Sequence, residues 1–558
     1  MKWMMTLFAG LLSLRLAAQE EDVLRAALYL TGASAVEELD EEIVDRLEAC
    51  RGRPVSVNAP ARGLSAGLLS AYQVASLEDY RRRSGDIFSW RELELVDGFG
   101  PEVVLALRPF LSLSSQTLPG QVDTLRLSQA AVLRGGNRGY GGKYRIGSEH
   151  MEAACAWKGK AGTACVQHRA RHGRWLAGDF NARFGQGLVQ WSGFSLSGLP
   201  TLQAFSRRAS GVTPSWSFTG TGTHRGVAWD GHRGRFDATA FVSVPGLKAW
   251  METGRKDLSV QGGLHVGWTG RQGQGGATTV ADRNGQKLSL EGRYGWKGVD
   301  LFGEAAWKIA GPAAILAGSR VPLGEGGRMA VQLRALPSRY TGKKYGEYAV
   351  ALGGEYQAGR FITLAGRSGF GSAVRRMIAT LTVDAALLPL PGLEPHRTQI
   401  KTVALWNWQV FPAWASVLRV TDRYRSYERR RTEGRWDLTW SDGRWSGRSR
   451  LHAVQCRDWG LLGYVEGGFQ GDAWILWLRS TVFRADAWSS RIYCYERDVP
   501  GCFTVPAYYG RGIALSAYSS WKKRFRKARL RIDGRVSYMF RKEKPGQTGL
   551  QLQATWSH

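Results

Sequence analysis

Long apolar runs and cysteine are both scarce in this chain of 558 residues. No run of 18 apolar residues occurs, which argues against a membrane-spanning helix. Six cysteines in a chain of this length do not define a disulfide framework. Cys155 and Cys165 flank a turn-like segment, and Cys494 and Cys502 bracket another. These four cysteines could form two loop-closing disulfides, or they could remain isolated thiols, and the sequence leaves both interpretations open.

Motifs typical of catalytic, nucleotide-binding or metal-binding sites are also sparse. The segment Gly193–Ser197 lacks the final glycine of a nucleophile elbow, and Gly220–Gly222 lacks the third glycine of a dinucleotide-binding loop. The nine histidines are scattered without metal-ligand spacing. For Asp179, Glu304 and Glu496 we favour lumen ion pairs with arginine over acid–base catalysis. The sequence therefore predicts a protein that is not an enzyme and uses no cofactor or metal.

The first 18 residues have the composition of a secretory signal peptide. Lys2 precedes an apolar run from residue 7 to residue 14, and Ala17 and Ala18 supply small residues for cleavage. No cysteine lies close to this site, which argues against a lipoprotein. The remainder of the chain is predicted to be exported.

Negative charge is concentrated behind the signal peptide. Residues 20–119 contain 17 Asp and Glu against 10 Lys and Arg, a net charge of −7, whereas the whole chain carries +29. The basic excess therefore lies in the C-terminal part. Within the acidic region, residues 19–52 place apolar side chains at spacings of three and four and predict a helical segment.

Residues 53–115 predict a small all-α domain built around a glycine turn. Ser89 and Glu92 have the spacing of a capping box at the start of one helix. Gly98 and Gly100 permit a sharp reversal of the backbone before a second helix. The basic cluster of this region consists of Arg81, Arg82 and Arg83. A solvated helix face is the interpretation we favour for that cluster, with a phosphate contact as the alternative.

The turn between the two helices resembles the helix-hairpin-helix motif. Its three residues are Gly98, Phe99 and Gly100. In that motif, amides at the start of the second helix hold a nucleic-acid phosphate, since a helix N-terminus attracts anions. Glu102 places a negative charge beside this position and opposes such binding.

From residue 120 onward the apolar period becomes two. In Ala528–Arg541 apolar or small residues alternate with charged and polar ones, and the same pattern occurs in 236–244, 288–297 and 435–441. Such strands form either a soluble β-protein or a membrane barrel. Aromatic residues near strand ends are typical of interfacial girdles and favour the membrane barrel; examples are Trp157, Trp175, Trp296, Trp307, Trp521 and Trp556.

Residues 120–558 are therefore predicted to form an antiparallel transmembrane β-barrel of about 20 strands. The fold class of the whole chain is α+β multidomain. Candidate lumen charges on the polar side of one strand are Arg529, Arg531 and Arg535. If that side faces the lumen, its field attracts anions, including nucleic acid. The alternative is that these arginines pair with lumen carboxylates or with lipopolysaccharide phosphates.

Several segments together resemble a family of Gram-negative outer-membrane proteins with a helix-hairpin-helix domain ahead of a large barrel. They are Pro54–Asn58, Tyr80–Gly100, Gly178–Leu188, Phe302–Trp307 and Arg491–Pro500. The resemblance implies a barrel in the outer membrane, in contact with lipid and lipopolysaccharide, and an N-terminal domain in the periplasm. The helical part also resembles the DNA-receptor domain of bacterial competence systems.

Two functions follow from this reading. The first is binding or passage of a polyanion, with DNA uptake as the specific case. The second is a protein-docking or assembly role, in which periplasmic or outer-membrane proteins are the partners of a hairpin that does not bind DNA.

Overall fold

The computed structural model describes residues 22–558 except 61–66, 116–126, 138, 149, 160, 171–172, 219–221, 245–258, 367–368, 391–392, 412, 527 and 543. The signal peptide predicted for residues 1–18 lies outside the described residues. No helix in the described part of the chain is both long and apolar enough to cross a membrane.

The N-terminal part is helical. Its helices are α1 (22–31), α2 (Glu41–Gly52), α3 (Ala71–Ser84), α4 (Trp90–Glu94) and α5 (Pro101–Leu107), with 3-10 helices at Val36–Glu38 and Arg108–Phe110. Two short parallel strands, β1 (Val55–Ser56) and β2 (Leu111–Ser112), tie the middle of this region to its end. A single apolar core runs from Val23 to Leu111. The acidic segment and the hairpin region therefore share one core.

The glycine turn has the local structure that the sequence predicts. Ser89 Oγ accepts a hydrogen bond from the Glu92 amide at 3.1 Å and caps α4. The Glu92 carboxylate accepts from the Phe88 amide at 3.0 Å, one residue before the capping-box position. Gly98 has φ +80°, and a Cβ there would lie 3.0 Å from the Tyr72 ring. Both the backbone angle and the close approach require glycine at this position.

The rest of the described chain forms a closed antiparallel barrel. The first wall strands are β3 (Ser128–Gly136), β4 (Gly139–Gly147), β5 (Met151–Lys158), β6 (Ala161–Ala170), β7 (Gly173–Arg183), β9 (His224–Arg233), β10 (Phe236–Ser243) and β11 (Gln261–Thr269). They are followed by β12 (Gly273–Asp282), β13 (Gly285–Trp296), β14 (Val299–Lys308), β15 (Ala313–Leu323), β16 (Gly327–Leu336), β17 (Glu347–Gly366), β18 (Gly369–Leu390) and β19 (Leu393–Phe411). The last are β20 (Trp414–Arg425), β21 (Glu428–Asp442), β22 (Trp445–Gln455), β23 (Trp459–Gln470), β24 (Trp474–Ala485), β27 (Gly510–Phe525), β28 (Ala528–Arg541) and β29 (Lys544–Ser557).

Besides β1 and β2, three short strands lie outside this wall. The strand β8 (Gly211–Pro214) pairs with the last residues of β7, which otherwise pairs with β9. A small separate sheet joins β25 (Ile492–Tyr493) to β26 (Ala507–Tyr508). The described wall thus has 24 strands, and β29 pairs with β3 to close it. The prediction of about 20 strands was too low, because most connections are only two or three residues long.

The strands turn an apolar face outward. In β28, Ile532, Val536 and Phe540 are exposed, whereas the alternating Asp533 and Arg535 are buried. Tryptophans collect near strand ends and pair across neighbouring strands, as at Trp414–Trp440 and Trp474–Trp521, with ring centroids 6.1 and 6.2 Å apart. An exposed apolar surface with aromatic girdles is the surface of a transmembrane barrel, which confirms the membrane interpretation over the soluble one.

The long connections lie at one end of the barrel, which we call the loop end. They comprise the described residues of the connection 184–223, together with residues 337–346 and 486–509. The opposite end, where β3 begins and β29 finishes, has turns of two or three residues, and we call it the terminal end.

Candidate functional site

The helical unit of residues 22–115 lies inside the barrel, and we call it the plug. It contacts inward-facing side chains on strands in different parts of the wall, namely β3, β4, β7, β16, β20, β21 and β22. The separate periplasmic domain predicted from the sequence is therefore replaced by a domain inside the lumen. The physical reason is charge, since the plug is acidic and the barrel is basic.

Three hydrogen bonds between the plug and the rest of the chain meet at the carboxylate of Glu37. Its carboxylate accepts hydrogen bonds from Arg435 at 2.9 Å and from Arg450 at 2.5 Å, and also from the Tyr495 amide at 3.1 Å. Burial alone would raise the pKa of Glu37, but the two guanidinium groups overcome this effect and hold the pKa well below its ordinary value. Glu37 is therefore ionised and bound at neutral pH.

Three further carboxylates continue this contact along the plug. Glu38 accepts from Arg419 at 2.6 Å. Glu41 accepts from Arg134 at 3.3 Å, and Asp45 pairs with Lys143. We call Glu37, Glu38, Glu41 and Asp45 the acidic latch.

One latch carboxylate has an elevated pKa. Burial and the neighbouring Asp45 together raise the pKa of Glu41 to about 7, despite the attraction of Lys143 and Arg134. This position changes its charge near neutral pH, whereas Glu37 does not.

The hairpin of α4 and α5 docks on the wall at the terminal end. Glu102 forms a two-pronged contact with Arg328 of β16, at 3.1 and 3.2 Å. Asp97 lies 3.9 Å from Arg271, whose backbone carbonyl accepts from the Tyr72 hydroxyl at 3.0 Å. The carboxylate that opposes phosphate binding therefore attaches the hairpin to its own barrel.

The turn residues themselves point into the plug. The Gly98 carbonyl accepts from Gln73 at 2.9 Å, and the Phe99 amide donates to the Val96 carbonyl at 2.9 Å. The Phe99 ring is buried in the plug core, and Gly100 caps α5 with an ordinary negative φ. These contacts direct the turn toward the protein interior.

The arginine cluster on α3 makes local contacts. Arg81 pairs with Asp86 at 2.9 Å, Arg83 pairs with Asp79, and Arg82 donates to the Glu78 carbonyl at 3.3 Å. These contacts agree with a solvated helix face, the interpretation that we favoured from the sequence.

The three candidate lumen arginines lie on the inward side of β28. Arg531 donates to Asp533 at 2.8 Å, and Arg535 pairs with Glu496. Arg529 is exposed near the terminal end of the same strand. Two of the three arginines are thus neutralised by carboxylates, so the row does not act as a ring of free positive charge.

The acidic residues picked out in the barrel also take structural roles. Asp179 pairs with Arg225 at 2.8 Å, and Glu496 pairs with Arg535. Glu304 differs, because its carboxylate accepts from the backbone amides of Gln186 and Leu188 at 2.7 and 3.1 Å. It thereby holds the connection 184–223 against the wall.

The cysteines are free in the structure, so the two candidate disulfides are not formed. Cys155 pairs with Ala164, and Cys165 pairs with Ala154. Because paired residues share a face and successive residues alternate, the two thiols lie on opposite faces of the sheet. Cys494 instead accepts from Arg479 at 3.0 Å, while Cys502 faces Gln551 at 3.5 Å.

Two large cavities lined by described residues lie between the plug and the wall. The first, of about 750 Å³, lies at the terminal end between α1, α2, α5 and strands β18 to β24 with β27 and β28. The second, of about 610 Å³, lies between α2, the connection 184–223 and the inner face of strands β15 to β20, and we call it the loop-end cavity. In the described part of the chain, no group of three or more His, Cys, Asp and Glu is placed to hold a metal ion.

The sequence analysis did not identify the acidic latch. Glu37, Glu38 and Glu41 look like ordinary solvent-facing positions of an acidic helical segment. The available signal was the opposite net charge of the two parts of the chain, which would favour contact between them.

No protein-family model and no curated protein matches this sequence. Among solved structures, the chain is similar to the translocation pore of the P pilus usher PapC, with 9% identity, a TM-score of 0.28, and coverage of 78% of this chain and 99% of that one. It is also similar to the copper transporter OprC, with 8% identity, a TM-score of 0.32, and coverage of 79% and 81%. A third is the ferric-catecholate import receptor Fiu from E. coli K12, with 8% identity, a TM-score of 0.33, and coverage of 78% and 82%.

Proposed function

We propose that this protein is an outer-membrane barrel that passes a substrate when its plug moves, and that it has no catalytic activity of its own. The terminal end then faces the periplasm and the loop end faces the outside, since barrels of this kind place short turns on the periplasmic side. Passage needs the plug to shift or open, because the latch and the hairpin both hold it against the wall.

The observation that carries this proposal is the difference between the interior of the plug and its surface. The buried residues of its apolar core all lie between Val23 and Leu111, and among the described residues outside the plug only Leu196 and Phe503, from the loop end, pack against that core. Many of its contacts with the wall are ion pairs and hydrogen bonds. Such a unit can leave the wall with most of its core still covered, because polar contacts can be replaced by contacts with water.

This proposal retains the passage of a substrate that the sequence predicted, but it does not include DNA as that substrate. The arginines that suggested a polyanion path are partly neutralised, and the hairpin that suggested phosphate binding docks on Arg328. The docking hypothesis takes a specific form here, in which the partner of the hairpin is the barrel of the same chain.

Covalent attachment of the plug tests the proposal. Asp45 and Lys143 are in direct contact, so a carbodiimide should join their carboxylate and amine in an amide bond. Ion flux through the protein in planar bilayers should fall as this bond forms, which mass spectrometry of the joined peptides can follow.

The matched control is Lys143→Arg, which keeps the positive charge beside Asp45 but offers no amine for coupling. Its flux should survive the same treatment. Undiminished flux in the cross-linked wild type would show that the plug does not gate passage, and absence of flux from every untreated protein would reject passage altogether.

A further inference from the structure

We propose that the loop-end cavity binds a small molecule with two or more anionic groups of the phosphate or carboxylate type. This inference gives the proposed function a substrate class, and it rests on that function for its biological meaning. The cavity volume of about 610 Å³ is in the range of small-molecule sites. A duplex nucleic acid is far too wide for it.

The charge of the cavity is strongly unbalanced. Nine basic and three acidic residues line it. The three acidic residues already have partners: Glu42 pairs with Arg46 at 2.5 Å, and Glu347 and Asp384 both pair with Arg334, at 2.8 and 2.7 Å. The carboxylates of the lining are therefore occupied by two of the nine basic residues.

Besides the exposed Lys343, five other basic residues of the lining have no carboxylate within ion-pair distance among the described residues; they are Arg183, Arg207, Arg208, Lys401 and Arg423. The first four donate to neutral carbonyl oxygens of Ser192, Gln186, Leu68 and Ser197, at 2.9, 3.2, 2.8 and 3.1 Å. The half-buried side chain of Arg423 makes no hydrogen bond or ion pair with any described residue, and the carboxylates of Glu433 and Glu428 act on it only from beyond ion-pair distance. Elsewhere in the lumen, Arg531 and Arg535 pair with the carboxylates of Asp533 and Glu496.

A second observation is that three polar groups in the lining of the cavity lack hydrogen-bond partners among the described residues. The hydroxyl groups of Ser206 and Ser210 line the cavity, are more than nine-tenths buried, and have no hydrogen-bond partner in the part of the chain that the structure describes. The Nε of Arg425, also in the lining, has none either. A buried polar group without a partner costs about 1–3 kcal/mol, and anionic oxygens would satisfy all three groups.

The cavity also has an aromatic wall that orients two of its cations. The guanidinium groups of Arg207 and Arg183 lie 5.1 and 5.9 Å from the centre of the Trp191 ring. Burial lowers the pKa of Arg208 to about 10, with Tyr29 partly opposing the shift, and it also lowers the pKa of Arg207. A bound anion would reverse both shifts, which means that proton affinity and anion affinity support each other at this site.

Calorimetric titration of the full-length protein in detergent tests this inference, with pyrophosphate and citrate as separate probes and maltose as a neutral one. The informative variant is Arg423→Gln, because this side chain has no partner to lose and the fold should tolerate the change. Loss of one charge-assisted contact should weaken binding about tenfold or more. The matched control is Arg430→Gln, whose side chain is 68% exposed and pairs with Asp422 on the lipid side of the neighbouring strand.

Binding of either anion that weakens in Arg423→Gln but stays within about twofold in Arg430→Gln supports the site, and the preferred probe tells phosphate from carboxylate recognition. Absence of binding by both anions, equal losses in the two variants, or equal binding of maltose would overturn it. Because binding is measured without transport, this result is independent of the plug cross-linking experiment.

Discussion

Replacement of Glu37 by Gln should release much of the hold on the plug. In the native protein this carboxylate lies between Arg435 and Arg450 and also accepts the Tyr495 amide. The variant leaves both guanidinium groups to share Asp437, which each contacts at 2.5 Å. Two buried positive charges would then be balanced by one negative charge.

The size of the effect follows from the burial of the partners. Removal of one member of a buried ion pair costs about 3–5 kcal/mol. Because the Gln side chain can still accept hydrogen bonds and Asp437 remains, we expect the lower value, about 3 kcal/mol. At about 1.4 kcal/mol per factor of ten, the population of protein with a displaced plug should rise about 150-fold.

Hydrogen exchange of residues 35–52 and single-channel recording should both report this change. Amides of α2 should exchange faster in Glu37→Gln, and the open probability in planar bilayers should rise. The control is Glu428→Gln at the rim, which removes a half-exposed partner of Arg425 and should cost less than about 1 kcal/mol. If the two variants behave alike, Glu37 does not hold the plug.

Three further predictions concern other contacts. Glu102→Lys should loosen the hairpin from Arg328 by about 1 kcal/mol or less, since the pair is partly exposed, and should speed hydrogen exchange in α5 while α2 is unchanged. Burial, the largest cause of the raised pKa of Glu41, is relieved when the plug leaves the wall, so docking favours the protonated carboxyl and the plug should be held more tightly at pH 5 than at pH 8. Exchange rates corrected for intrinsic pH dependence check the sign, and tighter docking at the higher pH would contradict this prediction. Arg535→Gln leaves Glu496 without its guanidinium partner and should lower the free energy of unfolding by about 3–5 kcal/mol, measured by urea titration, with anion selectivity unaltered.

The strands could be predicted from sequence because each carries its own period. Residues 528–541 show the alternation in full, and β28 has those same bounds. The alternation also predicted which face of the strand each side chain occupies, since Ile532 faces outward and Arg535 faces inward. The strand number was underestimated because alternation does not reveal how few residues a turn between strands needs.

The position of the plug could not be predicted in the same way. Helical spacing identifies an apolar face that packs within residues 22–115, but a docking surface made of carboxylates has no period. The partners of Glu37 are about 400 positions away in sequence, on β21 and β22. The loop-end cavity is likewise assembled from the plug, a long connection and several strands, so its excess of positive charge is visible only once these parts are in place.

The seam between β3 and β29 has a consequence for biogenesis. Arg134 of the first wall strand donates to Gln553 of the last strand at 2.8 Å and to Glu41 of the plug at 3.3 Å. The Arg134 side chain thus contributes both to closure of the barrel and to binding of the plug inside it. Such couplings are reciprocal. A bound plug therefore stabilises the closed barrel by the same free energy by which the closed barrel stabilises the bound plug. We therefore expect closure of the wall and seating of the plug to occur together during assembly, and loss of the Arg134 side chain to weaken both.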